Sequence, residues 1–317
     1  MRLFANADYP FIEWRRRAFL ISGVAMLIGI GAMVYNVASI GSWLNYGVDF
    51  SGGTLVQVRF DETTTIDEIR GLNPEWQISR FGDESEFVIR MPTYEQDLGQ
   101  DISQRVVGLL ATRFDRDAFE IVRTEAVGPT VGAELQQKAL IAILISFVAT
   151  LIYLAFRFEW RFGVAAVIAT AHDIVITLGV VALLQSEISA GTVAAFLTIV
   201  GYSLNDTIIV FDRIRENLAK RIRGRSFVEI VDRSINETLP RTVLTAVTTL
   251  ATLTALFLFG GAVIRDFALV LILGIGIGTF SSIFVASPAL FVIESKWPPE
   301  EKKTRKRPSR GREKAVV

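Results

Sequence analysis

Six apolar runs, each close to twenty residues or longer, punctuate this chain: about Ala18–Ala38, Leu135–Phe156, Gly163–Leu184, Gly191–Phe211, Pro240–Phe259 and Phe267–Ile293. A helix needs roughly 20 apolar residues to cross the hydrocarbon core of a bilayer, so each run predicts a membrane span. The last is long enough to predict tilting, or emergence as helix. The first follows Arg15-Arg16-Arg17. It is too long for the apolar region of a cleaved leader and no Ala-x-Ala pattern follows it, so it reads as an uncleaved span.

Between the first and second runs the pattern changes. Thr54–Phe60 alternates with period two, as a strand does. Thr65–Gly71 predicts a short helix, and Glu75–Arg80 and Phe87–Met91 predict strands joined by a turn around Gly82-Asp83. Glu95–Phe114 carries Leu98, Ile102, Val106, Leu109 and Leu110 along one side of an amphipathic helix. Phe119–Val127 predicts a last strand. The order β-α-β-β-α-β is ferredoxin-like, and a domain of about 90 residues can bury its own core without disulfides. The expected fold class is a polytopic α-helical membrane protein, with six transmembrane helices and a small α+β ferredoxin-like domain over residues 39–134. In the 212–239 loop, Phe227, Ile230, Val231 and Ile235 stand at helical spacing. They predict a separate helix lying along the membrane face. The Pro- and Lys/Arg-rich tail within 294–317 predicts disorder.

Composition agrees with this pattern. Of 317 residues 51% are hydrophobic, and the mean hydropathy is +0.41, too apolar for a domain with a wholly wet surface. There is no Cys and one His, His172. That excludes disulfides, thiolate zinc sites, cysteine nucleophiles and His-rich metal sites. No phosphate loop, nucleophile–base pair or metal-ligand cluster is visible, so no cofactor, metal, nucleic acid or catalytic residue is expected. Formal net charge is zero, but its placement orients the chain. Lys and Arg in short loops mark the cytoplasmic side. With residues 1–17 inside, the inner loops hold Arg157, Arg161, Arg213, Arg215, Lys220, Arg221, Arg223, Arg225 and Arg233, and the tail adds Lys302 to Lys314. The short outer loops hold only Arg265. Ser39–Ala133 then lies outside, with eight Arg, no Lys and sixteen Asp or Glu, a net of −8.

Ionisable groups inside spans are costly and therefore informative. Asp206 lies in Gly201–Thr207 of the fourth span, where Tyr202, Asn205 and Asp206 suggest one polar patch. His172 and Asp173 lie inside the third span with Thr177 one turn on. Arg241 opens the fifth span, below a stripe of Thr245, Thr248, Thr249 and Thr252. These groups read either as a proton path or as polar glue between helices. Proton transfer is the preferred reading for Asp206. Arg241 suits either reading, since it can reach the interface, and His172-Asp173 suits a packing contact. Gly274 and Gly278 form a small-xxx-small face in the sixth span. The Gly47–Thr54 segment, with Asp49, Phe50, Gly52 and Gly53, predicts a tight turn into the first strand.

Four separated motifs carry a resemblance: GVDFSGGT (Gly47–Thr54), EAVGPTVGAEL (Glu125–Leu135), His172-Asp173, and VGYSLNDTIIVFDRIREN (Val200–Asn217). Together they resemble the SecF family, membrane subunits of the bacterial Sec export machinery related to resistance-nodulation-division (RND) transporters. The resemblance implies a SecD partner supplying the other half of an RND-type bundle. It implies work with the SecYEG translocon, the SecA machinery and a translocating preprotein in the lipid of the bacterial inner membrane, driven by the proton-motive force. It also implies proton-coupling roles for Asp206 and Arg241. Two other classes remain open on the residues alone: half of an RND-type exporter of lipids or small molecules, and a passive assembly scaffold.

Overall fold

The structure is a computed structural model and describes residues 7–80, 85–91, 102–220 and 226–298, together with Phe4. The turn at Gly82-Asp83, the Glu95–Asp101 part of the expected amphipathic helix, Arg221, Arg223 and Arg225, and the tail from 299 onward lie outside the described residues.

Among the described residues, six helical stretches are long and apolar enough to cross a membrane. They are α1 (Arg15–Ile40), α5 (Pro129–Arg157), α6 (Trp160–Leu183), α7 (Ala190–Ala219), α8 (Phe227–Phe259), and the run α9 (Gly261–Ser281) to α10 (Ser287–Lys296). A π-helical turn, Ser282–Ala286, joins the last two. Helices α6, α7 and α9 form the centre, where half or more of the apolar stretch is buried, whereas α1, α5 and α8 leave most of theirs open. Helix α1 crosses α6 at glycines: a methyl carbon on Gly29 would stand 2.8 Å from the Gly179 Cα. Only residues without side chains let backbones approach that closely.

Short elements fill the space between α1 and α5: α2 (Val48–Ser51), β1 (Gly53–Phe60), α3 (Ile66–Arg70), β2 (Gln77–Arg80), β3 (Glu86–Met91), α4 (Ile102–Leu110) and β4 (Phe119–Val127). The four strands are antiparallel, in the order β2-β3-β1-β4. That is the ferredoxin-like arrangement expected from the alternation. Thr54 pairs with Met91 on one side and Ala126 on the other, and the register against β4 shifts between Gln57 and Val58. One face of the sheet, with Val56, Val58, Phe60, Ile78, Phe87 and Ile89, closes a core with Ile69 of α3 and Val106 and Leu110 of α4. Helix α3 starts at a capping box, Thr65 with Glu68.

The surface helix expected over Ser226–Leu239 is not separate. It is the first part of α8, a single helix of 33 residues with Pro240 inside it. A proline removes one backbone donor, but tertiary packing carries the helix through. Val231, Ile235 and Leu239 pack against Phe11 and Ile12. Asp232 accepts from Ile12 N–H at 2.8 Å, and Asn236 accepts from Tyr9 N–H at 3.0 Å. The amphipathic face thus meets the chain's own N-terminal segment rather than lipid.

Candidate functional site within the helical core

The site is built on α7. Ser189 caps its N-terminus in a capping box with Thr192, and the helix then runs 30 residues to Ala219. Its buried side carries Ile199, Ser203, Asp206, Thr207 and Val210, the 3–4 spacing of one helical face. Helix α9 lies directly against that face. A methyl carbon on Gly278 would stand 3.0 Å from the Ser203 Cβ, and one on Gly274 would meet the Ile199 side chain. The small-residue face read from the sequence is a helix–helix contact.

Asp206 has 1% of its surface exposed, and neither carboxylate oxygen has a hydrogen-bond partner among the described residues. Tyr202 Oη, Thr207 Oγ1, Thr242 Oγ1 and His172 Nε2 are likewise buried without partners. An unpartnered ionised carboxylate in such surroundings costs several kcal/mol, so the charge of Asp206 is not stabilised by local hydrogen bonds. Arg241 is exposed and makes no ion pair with it, yet acts on it electrostatically. The helix boundaries explain this. Asp206 precedes the end of α7 by about 20 Å along the axis, and Arg241 follows the start of α8 by about the same rise. The antiparallel pair sets them at one level, while side chains that lean toward their own N-termini keep them from touching.

Asn205 does not join the polar patch. It is exposed, whereas Asp206 beside it is buried, because consecutive helical positions point about 100° apart. Tyr202, one turn before Asp206, remains on the same side.

Asp173 is a second buried carboxylate, with none of its surface exposed, and it is the opposite of unpartnered. Ser203 Oγ of α7 donates to its Oδ2, Ser281 Oγ of α9 donates to the same oxygen at 2.8 Å, and His172 Nδ1 lies 2.9 Å from Oδ1. Thr177 Oγ1 donates to its backbone carbonyl at 2.7 Å. Asp173 therefore pins α6, α7 and α9 together one turn from Asp206. Ser203 and Ser281 are the members that sequence reasoning missed. The available signal was spacing: Ser203 stands one turn before Asp206, and Ser281 follows Gly278 by three positions.

At the sheet-side end the Gly47–Thr54 loop meets the start of α7. Ala190 N–H donates to Asp49 Oδ2 at 2.8 Å. Gly47 N–H donates to Ile188 O at 2.9 Å and Ile188 N–H to Asn45 O at 2.8 Å. Phe50 is buried against Ile188 and Phe196. Gly52 and Gly53 have φ of 70° and 122°, which side chains rarely adopt, and the loop passes so close to α5 that a methyl carbon on Gly132 would lie 2.9 Å from Gly52 N. Rather than a bare turn, the segment forms α2 and then enters β1.

Family models match this architecture in two parts. Residues 107–296 match the protein export membrane protein SecD/SecF, C-terminal, and residues 37–64 match the SecD/SecF GG motif. The chain belongs to the SecF branch of the SecD/SecF family. It is 46% identical over 309 residues to the protein translocase subunit SecF of Gemmatimonas aurantiaca, covering 94% of this chain and 91% of the relative. It is 42% identical to that of Vibrio alginolyticus, covering 90% of each. The crystal structure of SecDF from Thermus thermophilus, described as a translocon-associated membrane protein, superposes with a TM-score of 0.81 at 38% identity and covers 93% of this chain. This chain spans 40% of that SecDF chain. A SecDF structure in a super-membrane-facing form aligns with a TM-score of 0.64 at 35% identity, over 92% of this chain and 39% of the other. Within this SecF-family chain, the GG motif is the loop that carries Asp49 and touches both α5 and α7.

Proposed function

We propose that the chain pairs with a SecD-type subunit and uses the proton-motive force to complete the export of preproteins that the SecA machinery has moved into the SecYEG translocon. In this reading it sits in the bacterial inner membrane, with both termini cytoplasmic and residues 39–134 periplasmic. The acidic outer domain faces the emerging polypeptide. The Lys/Arg bias of the short loops supports the orientation. The observation that carries the mechanism is Asp206, a carboxylate in the helical core whose oxygens have no partner among the described residues, level with an exposed Arg241.

Neutralising Asp206 by protonation removes the attraction of Arg241, and losing the proton restores it. The two states therefore favour different separations of α7 and α8. The membrane potential supplies about 2.3 kcal/mol per charge per 100 mV, enough to bias helix positions whose energies differ by a few kcal/mol. Asp173 stays bonded to Ser203 and Ser281 one turn away, so α6, α7 and α9 move as one body relative to α8 and to a partner helix. Asp206→Asn keeps the size and polarity of the group but cannot titrate. The variant complex should assemble and lose the stimulation of preprotein translocation by the proton-motive force. Full stimulation in that variant would refute the proton-carrier role.

A further inference from the structure

The proposed cycle needs a path from α7 to the outer domain, and the underside of the sheet does not close fully on the helices. A cavity of about 60 Å³ lies between the two, lined among others by Asp49, Leu55, Gln57, Arg123, Glu187 and Asp266. Among the described residues, one connection is a strap. Its backbone pairs with the α6–α7 connection through a parallel bridge between Tyr46 and Ile188, flanked by the Gly47–Ile188 and Ile188–Asn45 hydrogen bonds. Asn45 Nδ2 also donates to Gln185 O at 2.8 Å. Asp49 closes the strap on the first residue of α7. Seven residues after Tyr46 the same backbone is β1, one of the two inner strands of the sheet. An ion pair on the neighbouring strand, Arg90 with Glu187, ties β3 to the same connection.

We infer that Asp49 is a positioning residue that couples the outer domain to the proton-bearing helix, by fastening the segment entering β1 to the N-terminus of α7. This rests on the proton-driven reading above. An anion at a helix N-terminus interacts favourably with the free N–H groups there, so the carboxylate both bonds Ala190 and is held by the end of the helix. Helix α7 is rigid from Ser189 past Asp206, so a shift at Asp206 arrives at Ala190. Asp49 passes it to α2 and β1. The strap acts while closed and does not open during the cycle.

The native chain has no Cys, so a designed disulfide has no competitor. The test uses the full chain assembled with its partner in proteoliposomes, and reads proton flux with a trapped pH-sensitive dye alongside preprotein translocation. Asp49→Ala should keep the Asp206-dependent proton flux and lose the stimulation of translocation. Asp49→Asn, which retains the accepting oxygen, should keep both. In the Asp49→Ala background, an oxidised Tyr46→Cys/Ile188→Cys pair should restore stimulation, and reduction should remove it again. Stimulation retained in Asp49→Ala, or flux and stimulation lost together, overturns the coupling role. Oxidation that abolishes stimulation in the otherwise native chain overturns the closed strap. Failure of the proton-driven reading shows separately, as native flux and stimulation in Asp206→Asn.

Discussion

Alanine in place of each of three α9 glycines separates packing from helix propensity. Gly274, Gly276 and Gly278 share one helix, and the propensity gain from Gly to Ala, roughly 0.5–1 kcal/mol, is common to all three substitutions. Their surroundings differ. A methyl carbon at Gly276 has nothing within 4 Å. At Gly278 it stands 3.0 Å from the Ser203 Cβ, short of an ordinary carbon contact of about 3.5–4.0 Å, so α7 and α9 must part by some tenths of an ångström. At Gly274 it meets the Ile199 side chain directly, and overpacking of that kind costs about 1–3 kcal/mol. Gly276→Ala should therefore be neutral or stabilising, Gly274→Ala about 1–3 kcal/mol worse, and Gly278→Ala between them. Heating the purified complex and following the intact fraction by size exclusion reads the order, with the outer pair separated by several degrees, roughly 2–10 °C. Gly278→Ala carries a second effect, because it presses on Ser203 and so on Asp173. Its translocation defect should exceed its stability defect. Three variants of equal thermal stability would refute the packing account.

Ser281→Ala removes one donor from the buried Asp173 carboxylate and should destabilise by about 1.5–3 kcal/mol, while Ser282→Ala, whose hydroxyl bonds only a backbone carbonyl of its own helix at 3.0 Å, should cost less. The comparison uses the same heating assay, and equal losses would contradict the network. At the α3 capping box, the backbone N–H and then the hydroxyl of Thr65 hold the Glu68 carboxyl below its ordinary value. A depressed folded value means that the contribution is present above the unfolded value near 4.5 and is lost as pH falls through the folded one. Amide exchange at the first turn of α3 should accelerate on acidification through that window, and should be independent of pH there, once corrected for intrinsic exchange, in Glu68→Gln.

The helical and sheet layers were legible because each buries a face with its own period. Twenty-residue apolar runs have one reading in a bilayer, and the alternation in Thr54–Phe60 found β1 to within Gly53, although the strand is buried on both faces except at Arg59. Asp206 stood out for its cost in hydrocarbon. What escaped was tertiary in origin. The first part of α8, which runs on through Pro240, is bonded to Tyr9 and Ile12, more than two hundred residues away. The Asp173 cluster joins positions 173, 203 and 281 on three helices, and spacing within α7 or α9 marks its members without showing that they meet. Asp49 looked like part of a turn because its partner, the N–H of Ala190, is a backbone group that every sequence supplies. Asn205 misled by adjacency, since neighbours in a helical sequence face different ways.

Helix α5 resembles a bowstring. Its first turn is wedged against the GG loop at Gly132, and its far end is held where Leu154 and the following Phe158 are buried. Between these anchors Leu140, Leu144, Ile145, Val148 and Ile152 are open, each with about half or more of its surface exposed. Lipid tails are as apolar as these side chains, so little within the chain fixes the curvature or tilt of the middle of this helix. Wherever lipid rather than a partner subunit covers this stretch, its shape follows the thickness of the surrounding bilayer, at fractions of a kcal/mol per ångström of mismatch. A thinner or thicker membrane therefore pulls on both anchors, one of which is the GG loop, and the lipid composition becomes a mechanical input to the same end of the molecule that holds the outer domain.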